Sequence, residues 1–251
     1  MAFTAKDVQA LREKTGCGMM DCKKALTECN GDMEAAADFL REKGLASQAK
    51  KASRIAAEGT VCAYTKNGVG AVVEINSETD FVANGDGFKA LAAEIAEIVA
   101  EQNPADVDAL LALKKDGKTV EEKVQELFLA VRENIKVRRF ARYEGHCAAY
   151  VHGGGTHGVI VKFETSDDVA AKPEFAAFGK DIAMQVAAAN PSYLNESDVP
   201  EDVLAKEKEI VLAQMANDPK TANKPDAIKE KMAIGKLGKF YKEACLVDQA
   251  F

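Results

Sequence analysis

Tryptophan is absent from the 251 residues, aromatics amount to 6%, and histidine occurs three times. With apolar residues at 47% and charged residues at 29%, this is the composition of an ordered globular protein leaning towards Ala-rich helix, not of a disordered chain. No apolar run reaches the ~18 residues that a membrane-spanning helix needs. The start, Met-Ala-Phe-Thr-Ala-Lys-Asp, has neither an apolar signal core nor an Arg-rich transit pattern, so a cytoplasmic location is expected. A positive excess is also missing: 40 acidic against 33 basic residues give a net charge of −7, which disfavours counterion-release binding to nucleic acid and points to a protein partner. The one basic run, Lys136-Val-Arg-Arg-Phe-Ala-Arg142, alternates Val137 and Phe140 with charges and reads as a half-exposed strand.

Sites for chemistry are scarce as well. The six cysteines, at 17, 22, 29, 62, 147 and 245, lack the paired short spacings of a zinc site and the density of a secreted disulfide scaffold, so they read as reduced thiols packed as small hydrophobes. Neither a P-loop nor a dinucleotide-type glycine turn is present, and Gly153-Gly154-Gly155-Thr156-His157-Gly158 has no helix after it and reads as a hairpin turn. His146, His152 and His157 share one strand pair without carboxylates or thiols at ligand spacing. Cys147 and His146, as strand neighbours, point to opposite faces and cannot form a dyad. The chain therefore reads as a non-enzyme with no cofactor, no catalytic residue and no metal site.

What is present is organisation. Residues 4 to 44 carry three short helical patterns, marked by Val8 and Leu11, by Met19, Cys22 and Leu26, and by Ala36, Phe39 and Leu40. Thr4 with Asp7 resembles a capping box, Thr15-Gly16 and Asn30-Gly31 break the chain, and Gly44 sits where a left-handed C-cap belongs. A module this small has a thin core, and docking on something larger is its typical use. Leu45 to Ala57 reads as a linker with some helix. Asn67-Gly68 between apolar runs signals a hairpin, and helical periodicity follows at Phe88, Leu91, Ile95, Ile98 and Val99 and again from Val120 to Val131. A second strand pair is expected over about 135 to 164 and another helix over about 174 to 188.

The second strand-and-helix unit repeats the first. Phe88, Ala90, Ile95, Ala96, Val99 and Ala100 recur with the same spacing as Phe175, Ala177, Ile182, Ala183, Val186 and Ala187, while Gly70, Val73 and Asp80 align with Gly158, Val161 and Asp168. After Asn190-Pro191 a helical hairpin is expected, with Val203, Leu204, Ile210, Val211 and Met215 on one arm and Ile228 and Met232 on the other; a coiled-coil projection and packing on the body both fit it. The expected fold is α+β. It comprises a three-helix domain plus linker at 1–56, a core subdomain at 57–141, and a second at 142–251 that includes the hairpin at about 197–243.

Ser77-Glu78-Thr79-Asp80-Phe81-Val82-Ala83 stands apart, since a large aromatic lies between a carboxylate and Val82 at a strand exit. Two readings stand: the ring is a wedge for a partner, or Asp80 caps the next helix while Phe81 enters the core. The aligned site in the second copy reads Asp168-Val169, so the aromatic belongs to the first copy alone.

Thr15-Gly-Cys-Gly-Met-Met-Asp-Cys-Lys-Lys-Ala-Leu26 and Glu78-Thr-Asp-Phe-Val-Ala83 resemble the two signature motifs of the elongation factor Ts family. The stretch from Asn134 to Arg139, the Tyr150-Val-His-Gly153 strand end and the helical hairpin extend the similarity to nearly the whole chain. The resemblance implies a ubiquitin-associated-like amino-terminal module that grips the GTPase elongation factor Tu through Arg12, Met19 and Met20. It implies that Asp80 and Phe81 enter that partner near its nucleotide pocket, that Thr79 to Val82 help dislodge its magnesium ion, and that His152 touches another of its domains. Expected partners are elongation factor Tu in its GDP-bound and nucleotide-free forms, with no direct nucleic acid and no membrane. A homodimer through the hairpin and a solvent-facing hairpin both stay open. The function implied is guanine-nucleotide exchange; the alternatives are a protein-interaction adaptor built on the three-helix module and a thiol enzyme. Two departures stand out: Arg132 replaces a family glycine in Val131-Arg-Glu-Asn-Ile135, and the family pattern continues past Phe251.

Overall fold

The computed structural model describes residues 3–251, so Met1 and Ala2 of the expected first domain lie outside it. Contacts divide the chain into two compact units, Met1–Ala183 and Met184–Phe251. The architecture is α+β, with small antiparallel sheets and a three-helix region at the amino end.

Helices α1 (Ala5–Thr15), α2 (Met19–Glu28) and α3 (Met33–Lys51) form that region. Thr4 donates from its N–H and its hydroxyl to the Asp7 carboxylate at 2.7 and 2.8 Å, and those bonds hold Asp7 below the usual carboxylate range. Gly16 closes α1 in the left-handed region at φ 68°, and Asp32 caps α3 through the N–H groups of Glu34 and Ala35. Gly44 departs from expectation, because α3 runs through it to Lys51 instead of ending there. The reason is packing: a Cβ on Gly44 would collide with the Leu129 side chain, so the missing side chain admits a neighbouring helix.

Strands β1 (Glu58–Lys66) and β2 (Val69–Ser77) form the expected hairpin, with Asn67 and Gly68 both at positive φ as a tight turn with the sheet's twist demands. Helix α4 (Asp80–Ala83) is one turn, and α5 (Asp86–Gln102) lays Phe88, Leu91, Ile95, Ile98 and Val99 on the sheet against Ala71, Val73 and Ile75. Helix α6 (Val107–Ala112), the short β3 (Lys114–Lys115) and β4 (Lys118–Thr119), and α7 (Val120–Val131) close this core with Leu110, Val120 and Val124. Thr119 caps α7 in a capping box with Glu122. Phe128 and Leu129 of α7 belong to the core of the three-helix region, alongside Leu11, Leu26 and Leu40, so that region is completed by a helix far along the chain.

β5 (Lys136–Glu144) corrects the expected strand pairing. It joins β2 as the third strand of the first sheet, in the order β1-β2-β5, with a bulge between Glu74 and Ile75. The expected second pair is then β6 (His146–His152) with β7 (His157–Phe163), turning through Gly153, Gly154 and Gly155 at positive φ. This ribbon packs on the face of β1 and β2 opposite α5. Gly70 and Gly158, the residues aligned between the copies, allow close approach: a Cβ on Gly70 would strike Ile160 and Cys147, and one on Gly158 would strike Val61 and Val72. Helix α8 (Asp167–Ala170) and α9 (Pro173–Ala189) follow, and Gly179 brings α9 onto Ala148.

In the second unit, α10 (Glu201–Asn217) and α11 (Asp226–Ala244) form the expected helical hairpin, with Met215 and Ala233 buried and Thr221 donating to the Met215 carbonyl at 2.6 Å in the turn. No helix among the described residues is long and apolar enough to cross a membrane.

Candidate partner-binding site

The exit of β2 is fixed from below and bare above. Val82 is 8% exposed and, with Ala83, sits in the core of the first sheet, whereas Phe81 beside it is 87% exposed. Consecutive residues of a single helical turn point in different directions, so anchoring Val82 inward turns the ring of Phe81 outward. The alternative in which Asp80 caps and Phe81 is buried is thereby resolved: the cap is Thr79, whose hydroxyl accepts from the Val82 N–H at 3.4 Å, and Asp80 opens the helix exposed.

Beneath this turn lies a clamp that motif reading did not single out. Glu133 accepts from both the N–H and the hydroxyl of Thr79, at 3.0 and 2.7 Å. Glu78 accepts from the Asn134 N–H at 2.7 Å and from Arg54 at 3.3 Å, which holds its carboxyl below the ordinary glutamate value, the Asn134 bond being the larger cause. Asn134 is buried and spends its side-chain amide on the carbonyls of Ala52 and Arg54, at 3.3 and 2.8 Å. Ser77 adds a bond to the Thr79 carbonyl at 3.0 Å. The sequence places Glu78 and Asn134 in stretches that resemble the family, but nothing local says that the two stretches meet.

Neighbours of the amino-terminal site residues, Asp21 and Lys51, reach the same end of α7. Met19 and Met20, at 42% and 73% exposed, open α2, and Arg12 is exposed on α1. Asp21, next along α2, pairs with Arg132 at 2.7 Å, and Lys51 donates to the Arg132 carbonyl at 2.5 Å. Adjacent residues thus tie two regions to one helix end, Arg132 the three-helix region and Glu133 the Phe81 turn. His152 lies apart, exposed at the tip of β6 with its Nδ1 2.8 Å from the Tyr150 hydroxyl and its ring facing His157 across the ribbon.

Conventional chemistry finds little footing. No group of three or more His, Cys, Asp or Glu suited to a metal occurs among the described residues. Burial pushes the thiols of Cys22, Cys62, Cys147 and Cys245 above their ordinary value, the wrong direction for a nucleophile. A cleft of about 920 Å³ between α3, α5 and α7 is lined by Lys14, Glu34, Arg41, Glu122, Lys123 and Glu94, whose charges are matched in pairs.

The structure thus sets an outward-facing aromatic on an anchored turn of an α+β body, with exposed methionines on its amino-terminal helical region. The sequence matches the family described as Elongation factor TS over residues 78–251. Proteins named Elongation factor Ts from three strains of Clostridium perfringens, SM101, ATCC 13124 and 13, are each 51% identical over 255 aligned residues, covering 99% of this chain and 82% of theirs. The chain belongs to the elongation factor Ts family, and its role is in translation elongation.

Proposed function

We propose that the protein promotes GDP release from elongation factor Tu, gripping the GTPase with the three-helix region and prying at its nucleotide site with the Phe81 turn. The exposed ring of Phe81, on a turn whose neighbours are anchored, is the observation that carries this reading. Thermodynamic linkage supplies the mechanism. A factor that binds the nucleotide-free GTPase more tightly than the loaded one weakens nucleotide by the same ratio, and no covalent bond changes.

Magnesium bridges the phosphates to the GTPase, so disturbing its ligands removes the largest local positive charge that holds GDP. Burying one phenyl ring in the opened state is worth about 2 kcal/mol, available only after opening. In this reading Asp80 and Phe81 enter the partner, Thr79 and Val82 shape the turn that presents them, Arg12, Met19 and Met20 grip the GTPase domain, and His152 meets another domain. Magnesium is the partner's ion, and this chain brings none.

The test is to mix the protein with elongation factor Tu holding a fluorescent GDP analogue, chase with unlabelled nucleotide, and follow release. Acceleration that saturates with factor concentration and survives alkylation of the thiols is the expected result. An unchanged rate would leave an adaptor, and loss of the effect on alkylation would leave a thiol-dependent protein.

A further inference from the structure

We infer that Glu133 is the positioning residue of the exchange segment, holding the Phe81 turn in its outward pose before the partner arrives. The inference rests on the exchange reading above and assigns a role to a residue that never needs to touch the partner. Glu133 follows the end of α7, whose C-cap is Arg132, and its two carboxylate oxygens take the N–H and the hydroxyl of Thr79 separately. Charge-assisted bonds to two donors on one residue fix both its position and its orientation. Thr79 is the N-cap of α4, so fixing it fixes the helical turn on which Asp80 and Phe81 ride.

The first copy alone is built this way. In the second copy the equivalent turn is capped by Ser166 without a side-chain bond, and its Asp167 reaches His146 instead. The clamp thus coincides with the copy that bears the aromatic. A solvent-facing ring gains nothing from its own core, and a loosely held turn would have to be ordered at the moment of engagement. Ordering it in advance moves that entropy loss from the exchange step into folding. Because Arg132 binds Asp21 of α2, the same helix end also sets the distance between the gripping region and the wedge.

The experiment compares wild type, Glu133→Ala, Glu133→Gln, Phe81→Ala and the Glu133→Ala/Phe81→Ala double variant, all full chain, in GDP release from elongation factor Tu. Glu133→Ala is expected to lower the saturating release rate about tenfold while the half-saturating concentration changes less than about twofold, the signature of a lost pose with binding retained. Glu133→Gln keeps an acceptor in place and recovers to within about threefold of wild type. The double variant is no slower than Phe81→Ala alone, since Glu133 acts through that turn. A rise in half-saturation at full rate, additivity in the double variant, or an unaffected Glu133→Ala would each overturn the inference.

The absence of tryptophan supplies a second readout, independent of the partner. Phe81→Trp places a single indole on the turn, and adding Glu133→Ala should lower its fluorescence anisotropy in the free protein; unchanged anisotropy would overturn the clamp. If Phe81→Ala leaves release untouched, the exchange reading fails, and the anisotropy still decides whether Glu133 holds the turn. Should Glu133→Ala not fold, Glu133→Asp, one methylene short of Thr79, carries the same expectations.

Discussion

The two strand-and-helix copies share a plan and differ in how it is finished. In the first, α5 lies between its sheet and α7, and Phe88, Ile95, Ile98 and Val99 are sealed; in the second, α9 buries only Gly179 and Ala183 fully. The turn before the helix follows the same division: Thr79 and Glu133 hold the first, and Phe81 stands out from it, while the second turn carries Asp168 at that place, one residue off the pairing with Val169 that the sequence repeat suggests. The more fully packed of the two copies is the one that carries the exposed ring. Rigidity below and exposure above belong together, because a ring presented to a partner keeps its pose only through what lies beneath it.

The largest effect that separates the copies is in their cores. Phe88 is 1% exposed, and Phe88→Ala is expected to cost about 3–5 kcal/mol in denaturant unfolding. Phe175 is half-buried, edge-on to Phe163 at 5.3 Å, and Phe175→Ala is expected to cost about 1–2 kcal/mol. Equal losses would mean that the two helices are packed alike.

Function should divide the copies in the same direction, through a residue that adds nothing to stability. Phe81→Ala removes a ring that touches little in the free chain, so stability should change by less than about 0.5 kcal/mol. Losing about 2 kcal/mol of burial in the opened complex would slow GDP release about thirtyfold. Asp168→Ala, at the matching place in the second turn, should leave release within about twofold of wild type. A large stability loss from Phe81→Ala, or equal kinetic losses at the two sites, would place the wedge elsewhere.

Much of this arrangement is legible in the sequence where a residue's own conformation is decisive. Asn67-Gly68 forces its hairpin because both residues take positive φ, and Thr4 with Asp7 marks the start of α1 because the Asp7 carboxylate takes the Thr4 N–H. Gly70 and Gly158 stand out in the repeat, although only the packed ribbon shows that each clears space for the other copy. What stays hidden depends on distant partners. Alternation identifies β5 as a strand but not its neighbour, and β2 claims it. Gly44 looks like a helix end until Leu129 arrives, and Glu133 looks like a solvated charge until Thr79 does. For Phe81, local pattern leaves ring-in and ring-out both open, and the structure, with Val82 anchored inward and the ring exposed, decides between them.

The smallest effect concerns Arg132, where the sequence resemblance leads one to expect glycine. Arg132 ends α7 at φ 62° and ψ 23°, a left-handed conformation that costs a residue with a Cβ about 1 kcal/mol relative to glycine. Its side chain returns part of that through Asp21, but both groups are partly exposed, at 34% and 53%, and such pairs contribute about 0–1 kcal/mol. The Lys51 bond goes to the Arg132 carbonyl and survives substitution. Arg132→Gly should therefore leave stability unchanged or raise it by up to about 1 kcal/mol, while Arg132→Ala, which keeps the strain and loses the pair, should lower it by about 0.5 kcal/mol. Urea midpoints of the two variants at low and high salt check this, since only the pair responds to screening. If Arg132→Gly proves less stable than the wild type, the tie to α2 outweighs the relief of backbone strain.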